Sequence, residues 1–294
     1  MELRQLSYFE RVAEQGSFTR AAQSLHLVQP ALSQQVAALE REMGLPLFHR
    51  GARGVRLTEA GERLLPYARR VLGEIERAQQ AVGELRELRT GKVALGLTPS
   101  ATLSLLPEIL EKYRGRYPAV EVQIVEEMTD ELVEQLLDGR LDLALVSFPI
   151  EDKRLETQPL FKERLALVVP PSHRLASLEQ VNLAELAGEP WILPYRRHGM
   201  RALVEGACQQ AGFGLQVSIE LSGLGPIKQL VQRGVGISIL PPAIVENEVK
   251  LGLLATVDIA HPHLVRTMGL ARRQGEHPTP AAAALAATIV GIER

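Results

Sequence analysis

Residues 16 to 61 constrain the fold more than any other stretch of the chain. Apolar residues recur there at helical spacing, but the runs are cut short by turn signals and end in an arginine-bearing hairpin. Leu3, Leu6, Phe9, Val12 and Ala13 lie on one face of a first helix. Ser17 is suited to cap a second helix, whose Phe18, Ala21, Ala22 and Leu25 face inward. The small Ala21-Ala22 pair lets two helices cross closely. His26-Leu27-Val28 turns the chain, and Pro30 fits the first turn of a third helix, where a missing N–H costs nothing. Leu32, Val36, Leu39 and Met43 then repeat at 3-4 spacing. The opposite face carries Gln29, Ser33, Gln34 and Ala37, uncharged and rich in the paired donors and acceptors that base edges require. A three-helix bundle with amide-rich solvent faces would also fit these helices. The hairpin favours the other reading, because Arg50, Arg53 and Arg56 fall within seven residues alongside Gly51 and Gly54. A short ribbon there places cations against phosphates or a minor groove. The first 58 residues thus read as an all-α winged helix-turn-helix domain, built to insert a helix into the major groove.

The ordered run of motifs resembles the LysR-type transcriptional regulators. It comprises Phe9, Gly16-Ser17-Phe18-Thr19-Arg20-Ala21-Ala22, Gln29-Pro30-Ala31-Leu32-Ser33, Leu39-Glu40, Gly44, Leu47-Phe48-x-Arg50 and Leu57-Thr58-x-Ala60-Gly61. The resemblance implies that Gln29, Pro30, Ser33 and Gln34 approach bases of double-stranded DNA. It also implies that Ser17, Thr19, Arg50, Arg53 and Thr58 contact the backbone or minor groove.

At 294 residues the chain is long enough for two or more domains. No run of eighteen apolar residues suggests a membrane span, and no signal-peptide pattern is present, so a cytoplasmic location is expected. The single cysteine excludes an internal disulfide. Residues 1–90 hold 13 Arg and 11 Glu, whereas 91–294 hold 20 basic and 24 acidic residues. The head is no polycation, so its affinity for DNA must come from a few well-aimed arginines.

From about 59 to 89 a helical pattern carries Leu64, Ala68, Val71, Ile75, Ala78, Val82 and Leu85 at 4-3 spacing. This a/d seam predicts a linker helix that pairs two copies, with packing onto the chain itself as the alternative. Pro66 is expected to kink or loosen its first turns. Beyond residue 90 strands and helices alternate, predicting an α/β domain with mainly parallel sheets. Val217–Glu220, the helix to Gln232 and Gly234–Leu240 echo Val122–Val125, the helix to Leu137 and Gly139–Leu145, a weak internal repeat that implies two lobes and a cleft. Ligands of such sheets sit where strands end and helices begin. The helix starts carry Thr98, Ser100, Thr102, Thr129 and Ser222, and a small anion suits that setting. Ordinary capping explains each hydroxyl alone; their recurrence argues for a ligand. Arg196, Arg197, His198 and Arg201 supply either a countercharge or a solvated helix start.

The family resemblance implies that this half is an inducer-binding domain similar to periplasmic binding proteins. Lobe I then spans about 90–161 and 267–294, and lobe II about 162–266. Its cleft is lined by Thr98, Ser100, Thr102, Thr129, Phe148, His198 and residues near Gly223. A homodimer through the linker, assembling further to a tetramer, follows from the same resemblance. The peroxide-sensing branch carries His-Cys-x-Arg; here His198-Gly199-Met200-Arg201 lacks that cysteine. Cys208 reads as a packed structural thiol beside Leu203, Val204 and Ala211. No nucleophile–base pair, phosphate loop or metal-ligand cluster is evident, and no cofactor is expected beyond the inducer. His261-Pro262-His263 reads as a loop. A binding protein or enzyme on the two-lobed domain, and a DNA-binding repressor without inducer, are the competing readings.

Overall fold

A computed structural model describes residues 1–51, 54–83 and 91–292. They divide into an N-terminal and a C-terminal unit. The first holds α1 (Leu3–Gln15), α2 (Phe18–Ser24), α3 (Gln29–Met43), the hairpin β1 (Phe48–Gly51) and β2 (Gly54–Leu57), and α4 (Glu59–Gly83). Gly16 ends α1 with φ +57°, a left-handed conformation that glycine adopts without a Cβ clash. Ser17 then caps α2 by accepting from the Arg20 N–H at 3.4 Å. Leu6, Phe9, Val12, Ala21, Ala22, Leu32, Val36 and Leu39 form one core, closed from below by Leu47 and Phe48.

Two residues expected in that core are outside it. Leu3 is 50% exposed and Met43 is 37% exposed. Each sits in a terminal turn, Leu3 opening α1 and Met43 preceding Gly44, where α3 stops. Periodicity marks a face, but it cannot say how far the neighbouring helix extends along it.

The linker differs in the same way. α4 runs 25 residues to Gly83 and continues through Pro66. At 1.5 Å per residue it is about 38 Å long. Leu64, Ala68 and Leu72 pack into the core of the head itself, so the start of the seam is used within the chain. Val71 and Ala78 are exposed and Ile75 is half-buried. The side chain of Val82, and Leu85 with the expected helix end near 89, lie outside the described residues.

The C-terminal unit opens with β3 (Gly91–Leu97), α5 (Pro99–Ser104), α6 (Leu106–Arg116), β4 (Val120–Glu126), α7 (Thr129–Leu137), β5 (Leu143–Phe148) and β6 (Leu155–Arg164). There follow β7 (Ala166–Val169), β8 (Gln180–Val181), β9 (Trp191–Pro194), α8 (Gly199–Gln210), β10 (Val217–Leu221), α9 (Leu224–Gln232) and β11 (Ser238–Leu240). The unit ends with α10 (Glu246–Lys250), β12 (Ala255–Ile259), β13 (Val265–Arg273) and α11 (Pro280–Val290).

Two sheets result. In lobe I the strand order is β4-β3-β5-β13-β6, the first three parallel and β13 antiparallel to both neighbours. In lobe II β9 and β10 pair in parallel, Trp191 bridges Ile237 in parallel beside β11, and β11 and β12 flank β7 antiparallel. The order β4-β3-β5 in one lobe and β10-β9-β11 in the other is the structural form of the internal repeat. The sheets are mixed rather than mainly parallel. The chain leaves lobe I along β6 and returns beside it along β13, and a return strand next to its exit strand must run the other way. Leu165 N–H continues that pairing by donating to Leu264 O at 2.8 Å.

Candidate nucleic-acid interface and effector cleft

In the head, the N-terminal part of α3 presents a polar, largely exposed surface. Gln29, Pro30 and Gln34 are exposed and Ser33 is half-buried. Ser33 Oγ accepts from Arg50 Nη1 at 3.2 Å. The Arg50 guanidinium also lies 4.6 Å from the Phe18 ring centroid and donates to Glu40 Oε2 at 3.3 Å. Glu40 does more than hold that cation. Its Oε1 accepts from the Leu47 N–H at 2.9 Å and the Phe48 N–H at 3.3 Å. One carboxylate on α3 therefore fixes the base of the hairpin and the pose of its arginine. Val55 N–H donates to Gly16 O at 3.1 Å, which stitches the second hairpin strand to the α1–α2 corner.

Thr19 is exposed, while Ser17 is half-buried and its hydroxyl caps α2. Thr58 is buried, and its hydroxyl donates to Pro46 O at 2.6 Å and accepts from the Gly61 N–H at 3.1 Å. With both roles filled, it holds the start of α4. Arg53 lies outside the described residues. Glu40, absent from the residues singled out as DNA-facing, was legible only as part of the Leu39-Glu40 motif.

In the C-terminal unit a cavity of about 90 Å³ opens between the lobes. Thr98, Thr129 and His198 line it, together with Asp130, Ser147, Arg197 and Arg266. Its walls come from the starts of α5, α7 and α8, where the first N–H groups of each helix lack intrahelical partners. Thr98 is the N-cap of α5, yet its side chain makes no capping bond. Its Oγ1 is buried with no partner among the described residues.

His198 caps α8 by accepting from the Met200 N–H at Nδ1, at 3.3 Å. An acceptor Nδ1 means that the proton of the neutral ring is on Nε2. That Nε2 is buried and likewise has no partner among the described residues. Burial, with the nearby Arg266 charge second, pushes the His198 pKa down to about 4. The ring is therefore a neutral N–H donor at physiological pH.

Arg266 is nearly fully buried. Its Nε donates to Glu163 at 2.8 Å and its Nη2 to Ser100 Oγ at 2.9 Å. Ser100 thus anchors the arginine, 166 residues away in sequence. Its signal was the alternation Val265-Arg266-Thr267-Met268, which puts a cation on the inward face of a strand.

Other proposed residues stand elsewhere. Thr102 donates to Thr98 O at 3.3 Å, and Ser222 is exposed. Phe148 packs its ring across Gly269, where a Cβ would come within 2.4 Å of it. Arg196 is exposed and pairs with Glu205 at 3.4 Å. Arg201 is 1% exposed and is saturated by Glu205 at 2.8 Å, Glu220 at 3.0 Å and Pro194 O at 3.1 Å. Of the basic cluster, Arg197 and His198 reach the cavity, whereas Arg201 is structural. Cys208 is fully buried, and burial, then Glu205, pushes its thiol up to about 12. Among the described residues no group of three His, Cys, Asp or Glu is placed to hold a metal. No described helix is long and apolar enough to cross a membrane.

A small helical head with an open polar helix and a clamped wing, joined in one chain to a two-lobed α/β domain with a polar cleft, defines a DNA-binding regulator with an effector domain. Residues 3–62 match the profile of bacterial regulatory helix-turn-helix proteins of the lysR family, and residues 86–291 match the LysR substrate binding domain. The chain is 33% identical to the DNA-binding transcriptional dual regulator OxyR of Escherichia coli K12, over 94% of this chain and 90% of that protein. It is also 33% identical to the HTH-type transcriptional regulator CfxR of Cupriavidus necator, over 96% and 88%. Among solved structures, a full-length OxyR cysteine-to-aspartate variant from Pseudomonas aeruginosa superposes with TM-score 0.78 at 27% identity, covering 98% of this chain and 94% of that one. Full-length CbnR in complex with its target DNA gives 0.73 at 26% identity, covering 98% and 99%. The chain belongs to the LysR family of transcriptional regulators.

Proposed function

We propose that this regulator reads double-stranded DNA through the first turn of α3 and that a small anionic effector in the inter-lobe cleft modulates its activity. Gln29, Pro30, Ser33 and Gln34 meet base edges; Thr19, Arg50 and Arg53 meet the backbone or minor groove. Copies pair through the exposed part of α4 and assemble to tetramers in the cytoplasm. The effector is held by Thr98, Thr129 and His198. The observation that carries the effector reading is the pair of buried, unpartnered groups, Thr98 Oγ1 and His198 Nε2, on residues that line one cavity. Leaving such groups unmade costs about 1–3 kcal/mol each, which a ligand recovers. The starts of α7 and α8 add partial positive charge, favouring an anion. An effector can shift the protein only by the difference in its affinity for the two lobe arrangements.

Peroxide sensing, named for several relatives, does not carry over through a thiol pair. This chain has one cysteine, and that cysteine is buried with a raised pKa. Footprinting of the full-length protein with and without a panel of small carboxylates tests the reading. Expected is protection that an active carboxylate alters, with Thr98→Val abolishing the alteration but keeping the protection. Absence of any protection at low salt overturns the DNA reading; protection that no member of the panel alters overturns the anionic-effector reading.

A further inference from the structure

Val28, at the tip of the helix assigned to the major groove, breaks two local rules at once. It is the N-cap of α3, where Ser, Thr, Asp or Asn is preferred, and it makes no side-chain capping bond. Leaving valine there forgoes about 1 kcal/mol of helix stability. It is also 70% exposed, beside the exposed Gln29 and Pro30, so its apolar side chain stands in water. A residue that is unfavourable for its own helix and for its own solvation is the kind that a partner accounts for. The occupant must offer an apolar group next to hydrogen-bonding base edges. In the major groove only the thymine 5-methyl does so.

We propose that Val28 is a specificity-determining residue that packs against a thymine 5-methyl, next to the bases read by Gln29, Ser33 and Gln34. The proposal rests on the reading that α3 enters the major groove and extends that surface by one apolar contact. The valine geometry suits it. The N-cap backbone is extended, at φ −80° and ψ 133°, a region that β-branched side chains favour, which leaves the branch rigid and pre-set for contact. An exposed polar cap would hydrogen-bond back into α3 and be lost to the base.

The test uses the full-length protein and a duplex that it enriches from a random-sequence library. Each thymine is replaced singly by deoxyuridine, which removes the methyl and keeps the hydrogen-bonding edge. Expected is one position per half-site at which the wild type binds about fourfold more weakly, the worth of one buried methyl. Val28→Ser, which restores a capping hydroxyl and so protects the fold, binds both duplexes equally. Val28→Thr, which keeps one branch methyl, retains the discrimination. A Val28→Ser protein that still loses the same factor on deoxyuridine overturns the proposal, as does a wild type indifferent at every thymine. Failure to enrich any duplex overturns the α3 reading itself, so the two failures are distinguishable.

Discussion

The head and the effector domain treat their polar side chains in opposite ways. In the head, Thr58, Glu40, Arg50 and Ser17 spend their donors and acceptors on the protein itself, and the residues left over face water. In the cleft, Thr98 Oγ1 and His198 Nε2 are held away from water with no partner among the described residues. The contrast follows from the partners. A duplex is large, charged and approached from outside, so its reader gains by being rigid and already exposed. A small effector is enclosed, and the groups that enclose it are unsatisfied until it arrives. Within the cleft, Thr98 and His198 therefore carry the ligand signal, whereas Thr58 and Glu40 are scaffold for the DNA side.

That contrast is breakable in order of expected effect. The largest effect is acid sensitivity of the effector domain. The His198 pKa is about 4 in the folded state against 6.5 for an unperturbed ring. A depressed histidine contributes stability above the unfolded value, and that contribution is lost as pH falls from about 6.5 to 4. The loss amounts to about 3 kcal/mol. His198→Asn keeps a capping side chain but cannot titrate, so the gap in urea-unfolding stability between pH 7 and pH 4.5 should shrink in this variant by about 2–3 kcal/mol. An unchanged pH slope would detach His198 from the acid transition.

Next comes the head. A Cβ on Gly61 would lie 2.3 Å from Leu47 O, a backbone atom that cannot swing aside. Gly61→Ala is expected to destabilise the head by about 2–3 kcal/mol and to leave cleft ligand binding intact, measured by thermal melts and calorimetry. The sharpest single comparison is between two threonines. Thr58→Val strands the Pro46 carbonyl and the Gly61 N–H and should cost about 2 kcal/mol. Thr98→Val strands nothing and should leave the unliganded protein as stable or about 1 kcal/mol more so. If both lose stability equally, Thr98 is not the unpaired group described above.

The smallest effect is at Glu40, which touches no DNA in this reading. Glu40→Gln keeps an acceptor for the Leu47 and Phe48 N–H groups but loses the charge that holds Arg50. DNA affinity should fall a few-fold with the fold intact, by about 1 kcal/mol, and the salt dependence should change because Arg50 is released. An unaltered salt slope would show that Glu40 acts on the hairpin alone.

The head was legible because its signals are local. Gly16, Ser17, Pro30 and Gly44 act on backbone within a turn of themselves, and 3-4 spacing names a buried face wherever that helix ends up. The strand–helix alternation and the weak repeat likewise announced two lobes, since both lobes use the same β-α-β-α-β order. Hydroxyls at helix starts pointed to the cleft, although Ser100, Thr102 and Ser222 carry the same signal and do not line the cavity.

Sequence alone therefore decided the elements, their amphipathic faces and the helix starts that make a cleft. The tertiary structure decided that Arg266 joins Arg197 at that cleft, because Arg266 meets Ser100 only after β13 returns antiparallel across the sheet. It also decided that Arg201 is scaffold while His198 lines the cleft, and that the start of the linker seam, Leu64 and Ala68, belongs to its own head. Local propensity acts over a few residues, whereas burial and hydrogen-bond satisfaction depend on groups that only the closed chain brings together.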